Sequence, residues 1–208
     1  MDYETQRRLM CELGRRMWDR GWVAANDGNL SRRLGEGLFL VTPAGVSKGA
    51  LTTDMLIVVD GEGRPAPGSP SSFRPSSETP LHLECYRRRP GVGGVCHAHP
   101  PAATAFACAH MGLTEPLLGE TVMTLGHVPC APYGRTGTAA LPQAAGPLLE
   151  GHDAVLLANH GALTLGADLE EAYWRMETLE HTAQIHLNVR ILGGGIPLTP
   201  DQTAELRS

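Results

Sequence analysis

Short apolar segments with strand character alternate with helix-like segments along nearly the whole chain of 208 residues. Apolar, β-branched runs between turn formers predict strands, and apolar side chains spaced by four predict amphipathic helices. Such alternation is typical of a layered α/β domain with helices on both faces of one sheet. The predicted strands are 38–42, 55–59, 92–99, 125–130, 154–159 and 162–165, and the predicted helices are an opening helix ending near residue 21, then 77–89, 100–111, 138–149 and 168–192.

One domain is expected, spanning residues 1–208, with residues 193–208 as a short C-terminal tail. A chain of this length suits a single hydrophobic core. The segment 61–76 is rich in Gly, Pro and Ser. It is too short to link two domains, so we interpret it as a loop.

Charge and cysteine content argue against several classes of function. The net charge is −5, and the longest basic run, Arg87-Arg88-Arg89, ends a predicted helix, so no nucleic-acid partner is expected. No apolar stretch reaches bilayer length, and the first residues are charged, so neither a membrane partner nor a secretory signal is expected. Five cysteines without a CxxC pair indicate a reducing compartment, and we expect a cytoplasmic location.

Two histidines end an apolar predicted strand. His97 and His99 flank Ala98, and side chains at i and i+2 of a strand point to the same side. Two imidazoles that converge where a strand meets a loop can hold a divalent ion. Cys96 must face the other side of this strand, where we expect it in the core.

A third histidine, His160, also ends an apolar predicted strand and is followed at once by Gly161. The glycine permits close approach of backbone or ligand. If the two strands are neighbours, three imidazoles meet, and three protein ligands leave coordination positions open, as in catalytic sites. The alternative is that His160 only fills a turn between two strands.

The segment Ser76-Ser77-Glu78 lies where a loop becomes a helix. Exposed N–H groups and the positive end of the helix dipole favour an anion there, and the two hydroxyls add donors, so a phosphate can bind. The plain alternative is an N-cap, with Ser77 in that position, followed by an acidic first turn. Further backbone donors and one cation for a phosphate are offered by Gly28-Asn29, by Thr42-Pro43-Ala44-Gly45 and by Lys48.

Together these motifs resemble the class II aldolase/adducin family over about residues 5–192, with the fuculose-phosphate aldolases nearest in motif. The resemblance is carried by Gly28-Asn29-Leu30-Ser31, Thr42-Pro43-Ala44-Gly45, Ser76-Ser77-Glu78, His97-Ala98-His99, Pro129-Cys130-Ala131-Pro132-Tyr133 and His160-Gly161. It implies a three-layer α/β/α sandwich around a mixed, mostly antiparallel sheet. It also implies a homotetramer with sites near subunit interfaces.

The resemblance further implies roles for individual residues. One divalent ion per subunit, usually zinc, with manganese or cobalt as alternatives, would be held by His97, His99 and His160. Glu78 would be the catalytic acid/base beside it. The phosphate of a sugar substrate would be bound by Asn29, Gly45, Ser76 and Ser77. Gly28, Ala44 and Lys48 are the further candidates from the loops described above.

The resemblance predicts an aldolase that cleaves a ketose 1-phosphate to dihydroxyacetone phosphate and an aldehyde through an enediolate. Glu78 favours the aldolase branch. The aldolases of the family have Glu after the two serines, whereas the 4-epimerases have Asp at that position. Two tyrosines of the aldolases lack counterparts, since segment 115–128 and the residues after 193 contain no Tyr. Glu120 is the candidate replacement for the first. The alternatives are an epimerase, a dehydratase, a decarboxylase or a non-catalytic binding module.

Overall fold

The computed structural model describes residues 3–35 and 37–206. Seven strands and seven α-helices lie in this part of the chain, with two single-turn 3₁₀ helices at Lys48–Ala50 and Thr53–Met55. The strands are β1 Asn29–Gly35, β2 Leu38–Val41, β3 Ile57–Val59, β4 Gly94–Ala98, β5 Cys130–Ala131, β6 Ala154–Leu157 and β7 Gly161–Gly166. The helices are α1 Tyr3–Asp19, α2 Thr79–Arg88, α3 Pro101–Cys108, α4 Gly119–Thr124, α5 Ala140–Leu149, α6 Leu169–Ile191 and α7 Pro200–Glu205.

The strands form one sheet in the order β3-β2-β1-β4-β7-β6-β5. Every neighbouring pair is antiparallel except β5 and β6, which are parallel. The prediction of a mixed, mostly antiparallel sheet is therefore confirmed. None of the described helices is both long enough and apolar enough to cross a membrane.

Two apolar cores lie on opposite faces of the sheet. One combines side chains of α1, α3 and α6 with one face of the strands, and the other combines α2 and α5 with the opposite face. Alternation along β4 shows the division, because Cys96 belongs to the first core and Val95 to the second. The α/β/α sandwich is thus confirmed, and Cys96 is buried in the core as expected.

The structure differs from the sequence prediction in these segments, for physical reasons. β1 was not predicted, because its inward-facing Asn29 and Ser31 are polar and give no apolar alternation. The predicted strand 125–130 is mostly loop after α4, and the burial of Leu125 and Val128 reflects packing rather than a ladder. The predicted tail contains α7, which begins with a capping box at Thr199.

Candidate metal centre and active site

The sheet brings together the three histidines that the sequence singles out. His97 lies in β4, His99 directly follows it, and His160 lies in the turn between β6 and β7. Because β7 pairs with both β4 and β6, the end of β4 is next to that turn. One ring nitrogen from each histidine lies within 4.8 Å of the others, and the Nε2 atoms of His97 and His99 are 3.2 Å apart.

Local backbone features make room for these rings. A Cβ on Gly161 would lie 2.5 Å from Cδ2 of His99 and 2.6 Å from the carbonyl oxygen of Ala98, so only glycine fits there. Position 28 also requires glycine, because its φ is +69° and a Cβ there would lie 2.9 Å from the carbonyl oxygen of His97. Asn159 has a φ of 54°, which turns the chain so that His160 points back over the sheet.

The imidazoles are arranged as metal ligands require. His97 Nδ1 donates to the carbonyl oxygen of Ala162 at 2.9 Å, which leaves the Nε2 lone pair facing the cluster. His99 Nδ1 faces a carboxylate oxygen of Asp27 at 3.5 Å. His160 Nδ1 is buried without a hydrogen-bond partner among the described residues. Three imidazoles with open space beside them fit one divalent cation with free coordination positions.

Glu78 lies beside the three rings as the N-cap residue of α2, so the prediction that Ser77 is the cap is wrong. Its Oε2 accepts a hydrogen bond from Nδ2 of Asn29 at 2.7 Å and is 3.1 Å from Nε2 of His97. Its Oε1 is 3.2 Å from Nε2 of His160. This oxygen is buried and has no hydrogen-bond partner elsewhere in the described chain, so its lone pairs are left for a metal-bound ligand or a proton beside His160.

Burial and charge set the protonation of the cluster. Burial raises the pKa of Glu78, but His97, His160 and the Asn29 amide outweigh it and hold that pKa below its usual range. Burial lowers the pKa of His97, yet the Glu78 carboxylate raises it above its ordinary value. Burial, followed by the charge on His97, lowers the pKa values of His99 and His160 to about 4. Both rings are therefore neutral at pH 7, as metal binding requires.

A cavity of about 380 Å³ opens beside Glu78 and the histidines. Ser77 is exposed in it, while the Ser76 hydroxyl accepts a hydrogen bond from the Glu78 N–H at 3.3 Å. The Ala44 N–H is already used, because it donates to the carbonyl oxygen of Arg74 at 2.8 Å. The cavity is lined by Asn26, Asp27, Gly28, Asn29, Pro43, Ala44, Gly45, Ser76, Ser77, Glu78, His99, Thr136 and His160.

Two predicted site residues lie elsewhere in the described chain. Lys48 is buried, and its ammonium donates to the carbonyl oxygens of Asn26 and Val46. These hydrogen bonds hold the loop that lines the cavity. Burial also lowers the pKa of Lys48 to about 8. Glu120 is exposed in the first turn of α4, outside the cavity lining. The roles of these two residues stay predictions, and that of Glu120 depends on a neighbouring subunit.

Sequence reasoning missed several residues of the site. Asn26 and Asp27 belong to a cluster of turn formers, which was the available signal. Thr136 has no sequence signal that we can identify. His82 also had no recognisable partner, but in the structure its ring bonds to Asn29 and Ser31.

A model of the class II aldolase and adducin N-terminal domain matches residues 8–187 of the chain. A protein of Escherichia coli named 3-oxo-tetronate 4-phosphate decarboxylase is 35% identical over 211 residues, which covers 99% of this chain and 96% of that protein. A protein of Methanococcus maripaludis named L-fuculose phosphate aldolase is 33% identical and covers 84% of this chain and 92% of its own length.

Solved structures agree with this assignment of fold. YgbL from Klebsiella pneumoniae, described as a putative aldolase/epimerase/decarboxylase, superposes with a TM-score of 0.89 at 33% identity, covering 100% of both chains. An L-fuculose 1-phosphate aldolase superposes with a TM-score of 0.88 at 28% identity, covering 96% of this chain and 93% of its own.

Proposed function

The chain belongs to the class II aldolase and adducin N-terminal domain family, and on this premise we propose that it is a metal-dependent decarboxylase of a phosphorylated 3-oxo sugar acid. One observation carries the proposal. Beside three converging imidazoles, Glu78 lines a polar cavity and has one carboxylate oxygen held by Asn29 and the other buried without a hydrogen bond. That arrangement suits delivery of a proton to a carbanion that forms next to a ketone.

The substrate named for the Escherichia coli relative shows what such a site can do. In a 3-oxo-tetronate 4-phosphate, the C1–C2 bond breaks and its electron pair moves into an enediolate with the C3 oxygen. Carbon dioxide leaves, and one proton added at C2 gives dihydroxyacetone phosphate. An aldolase of a ketose 1-phosphate reaches the same enediolate by releasing an aldehyde. The two reactions share this enediolate and differ in the leaving group and in whether its release needs a base.

Each residue has a defined task in this proposal. A divalent ion held by His97, His99 and His160 would supply Lewis-acid stabilisation of the developing negative charge, worth several kcal/mol. Glu78, which is ionised at rest, would take up a proton from solvent and deliver it to C2. The hydroxyls of Ser76 and Ser77 would receive the phosphate.

Missing tyrosines favour decarboxylation over aldol cleavage. Aldol cleavage requires a base for the C4 hydroxyl, and in the resembled aldolases a tyrosine faces the aldehyde portion. Segment 115–128 and the residues after 193 contain no tyrosine. Loss of carbon dioxide needs no such base, so Glu120 then has no catalytic task. The second candidate, a ketose 1-phosphate aldolase, is favoured by the Ser76-Ser77-Glu78 pattern and by the Methanococcus maripaludis relative.

Metal, assembly and location are parts of the same proposal. Three imidazoles favour zinc, with manganese or cobalt as alternatives. The homotetramer, with sites near subunit interfaces, rests on the family resemblance. The cytoplasmic location is supported by the five cysteines, which are all free thiols in the described chain.

The first test is proton exchange of dihydroxyacetone phosphate in D₂O, followed by NMR with and without a chelator. The proposal expects stereospecific, chelator-sensitive exchange at the hydroxymethyl carbon. Release of carbon dioxide from a 3-oxo-tetronate 4-phosphate is then measured above the rate with chelated enzyme. Exchange without faster release would favour the aldolase, and absence of exchange with metal bound would contradict both candidates.

A further inference from the structure

A chain of hydrogen bonds leads away from Glu78 into the protein interior. Asn29, whose Nδ2 bonds Glu78 at 2.7 Å, faces His82 Nε2 through Oδ1 at 2.5 Å. His82 Nδ1 lies 2.6 Å from the Ser31 hydroxyl, which lies 2.8 Å from the Tyr86 hydroxyl. The chain therefore has five members and four hydrogen bonds.

The chain is built on two periodicities. Glu78, His82 and Tyr86 are spaced by four, which places them on one face of the helical segment that begins at the cap of α2. Asn29 and Ser31 are spaced by two on β1 and share one face of the strand. Each of the five side chains is 9% exposed or less. Water does not replace a lost partner easily at such burial, so every bond in the chain matters.

The directions of the four bonds follow from the chemistry of each group. The ionised Glu78 can only accept, so Asn29 donates from Nδ2 and turns Oδ1 towards His82. Burial lowers the pKa of His82 to about 3, so its ring is neutral. Nε2 then carries the proton and Nδ1 accepts from Ser31. The Ser31 oxygen in turn accepts from Tyr86, and every donor points towards Glu78.

This polarity identifies what the chain does. An amide does not readily accept a proton and pass it on, so Asn29 interrupts proton conduction and the chain is no proton wire. It does fix which way the amide faces. If the amide were reversed, Oδ1 would meet the Glu78 carboxylate, and two acceptors would repel each other. The N–H of His82 at Oδ1 prevents that reversal.

We propose that His82, Ser31 and Tyr86 are positioning residues, which act through Asn29 to hold Oε2 of Glu78 and so fix the orientation of this carboxylate beside the histidine cluster. The proposal rests on the proposed function of Glu78 as the group that moves the proton. None of these three residues lines the cavity beside Glu78. Their removal should therefore affect turnover more than substrate binding.

The kinetic test compares single variants by chelator-sensitive exchange of dihydroxyacetone phosphate. kcat is expected to fall about 10-fold to 100-fold in His82→Leu, less in Ser31→Ala and least in Tyr86→Phe, with KM and metal content much less affected. His82→Gln, whose amide can donate to Asn29, should recover part of the loss. Thr182→Val is the matched control, because it removes a buried hydroxyl bond to Thr121 at 2.7 Å outside the chain.

Equal losses in His82→Leu and His82→Gln, or a KM change as large as the kcat change, would overturn the proposal. So would an equal loss in the Thr182 control. A second readout does not need turnover, namely ¹⁵N NMR of histidine-labelled protein, with the His82 signals assigned from the His82→Gln spectrum. A neutral ring protonated on Nε2 from about pH 5 to 8 is expected, and any other state would overturn the bond directions. The NMR measurement still tests the hydrogen-bond chain if the wild type shows no exchange of dihydroxyacetone phosphate, a result that would instead refute the proposed function.

Discussion

Two buried glutamates, Glu78 and Glu180, lie on different helices and are satisfied in different ways. Glu180 is 3% exposed, and its oxygens accept the N–H groups of Ala102 and Ala103 at the start of α3, at 3.1 and 2.9 Å. Gln184 adds a third donor at 2.9 Å. Glu78 is 9% exposed and has only one oxygen held by a hydrogen bond from an amide.

The difference separates a structural carboxylate from the one that we propose to be reactive. Backbone N–H groups at a helix N-terminus stabilise the negative charge of Glu180, and both of its oxygens accept hydrogen bonds. Glu78 keeps one oxygen free of hydrogen bonds beside the histidine cluster and the cavity. Burial alone therefore does not identify a catalytic carboxylate, whereas a buried oxygen without a hydrogen bond, on a residue that lines a cavity, makes Glu78 a candidate.

Removal of the Glu78 charge should give the largest effect on activity. In Glu78→Gln the amide cannot exchange a proton with substrate carbon, so kcat for exchange should fall about 10²-fold to 10⁴-fold. Metal content, measured by elemental analysis, should persist because the three histidines remain. Retained turnover would break the comparison, because Glu78 would then be no more reactive than Glu180.

Loss of one imidazole should give the second-largest effect, a lower affinity for the metal. In His99→Ala two ring ligands remain, so metal affinity and activity should fall by more than about 100-fold, the upper range for loss of an outer-shell partner. Metal content after dialysis is the measurement. His181→Ala, a histidine on α6 outside this cluster, is the matched control. Unchanged occupancy in His99→Ala would remove His99 from the ligand set.

Glu180→Ala should show the opposite pattern, with stability lost and chemistry kept. Two buried N–H groups lose their acceptor, which costs about 2–4 kcal/mol and lowers Tm by roughly 5–15 °C. Glu177→Ala on the same helix is the control, because its partner Arg20 forms an exposed ion pair with it worth about 1 kcal/mol or less. A loss of kcat per folded molecule in Glu180→Ala would contradict the structural role.

The same contrast explains how much the sequence could predict. The three histidines were found because each ends an apolar strand, and strand geometry makes i and i+2 side chains converge. The role of Glu78 was predicted only from the resemblance to the family, because its place at a helix start is equally typical of an ordinary acidic first turn. The partner of His82 was hidden, since it lies in β1, a central strand whose buried Asn29 and Ser31 gave no apolar pattern. Polar residues that serve the site thus obscured the element that carries them.

Tertiary packing accounts for the remaining misses. The segment before β5 has the apolar composition of a strand, yet α4 packs on α6 there and only two residues join the sheet. Lys48 was expected at a phosphate because a cation near Gly45 suggests one. In the structure its ammonium donates to the Asn26 and Val46 carbonyls, an orientation that sequence spacing does not specify, and its role at a phosphate stays a prediction.

Ser77→Ala sharpens the contrast at the cavity wall. The exposed Ser77 hydroxyl should donate to the substrate phosphate, and loss of one such bond, about 1.5 kcal/mol, should raise KM about tenfold with kcat little changed. Ser72→Ala, also exposed in the preceding loop, is the matched control. An unchanged KM for a phosphorylated substrate in Ser77→Ala would move the phosphate site elsewhere.

Glu120→Gln should have the smallest effect, and the size of that effect separates the two candidate reactions. Glu120 is exposed on α4 and reaches a cavity only if a neighbouring subunit presents one. Decarboxylation needs no base at a C4 hydroxyl, so kcat should stay within about twofold of wild type. Aldol cleavage does need one, and loss of that base would lower kcat about 10²-fold or more. Glu115→Gln is the control. A large loss of kcat in Glu120→Gln alone would favour the aldolase. Glu120 would then differ from both buried glutamates, because it would be exposed in the subunit but catalytic in the assembly.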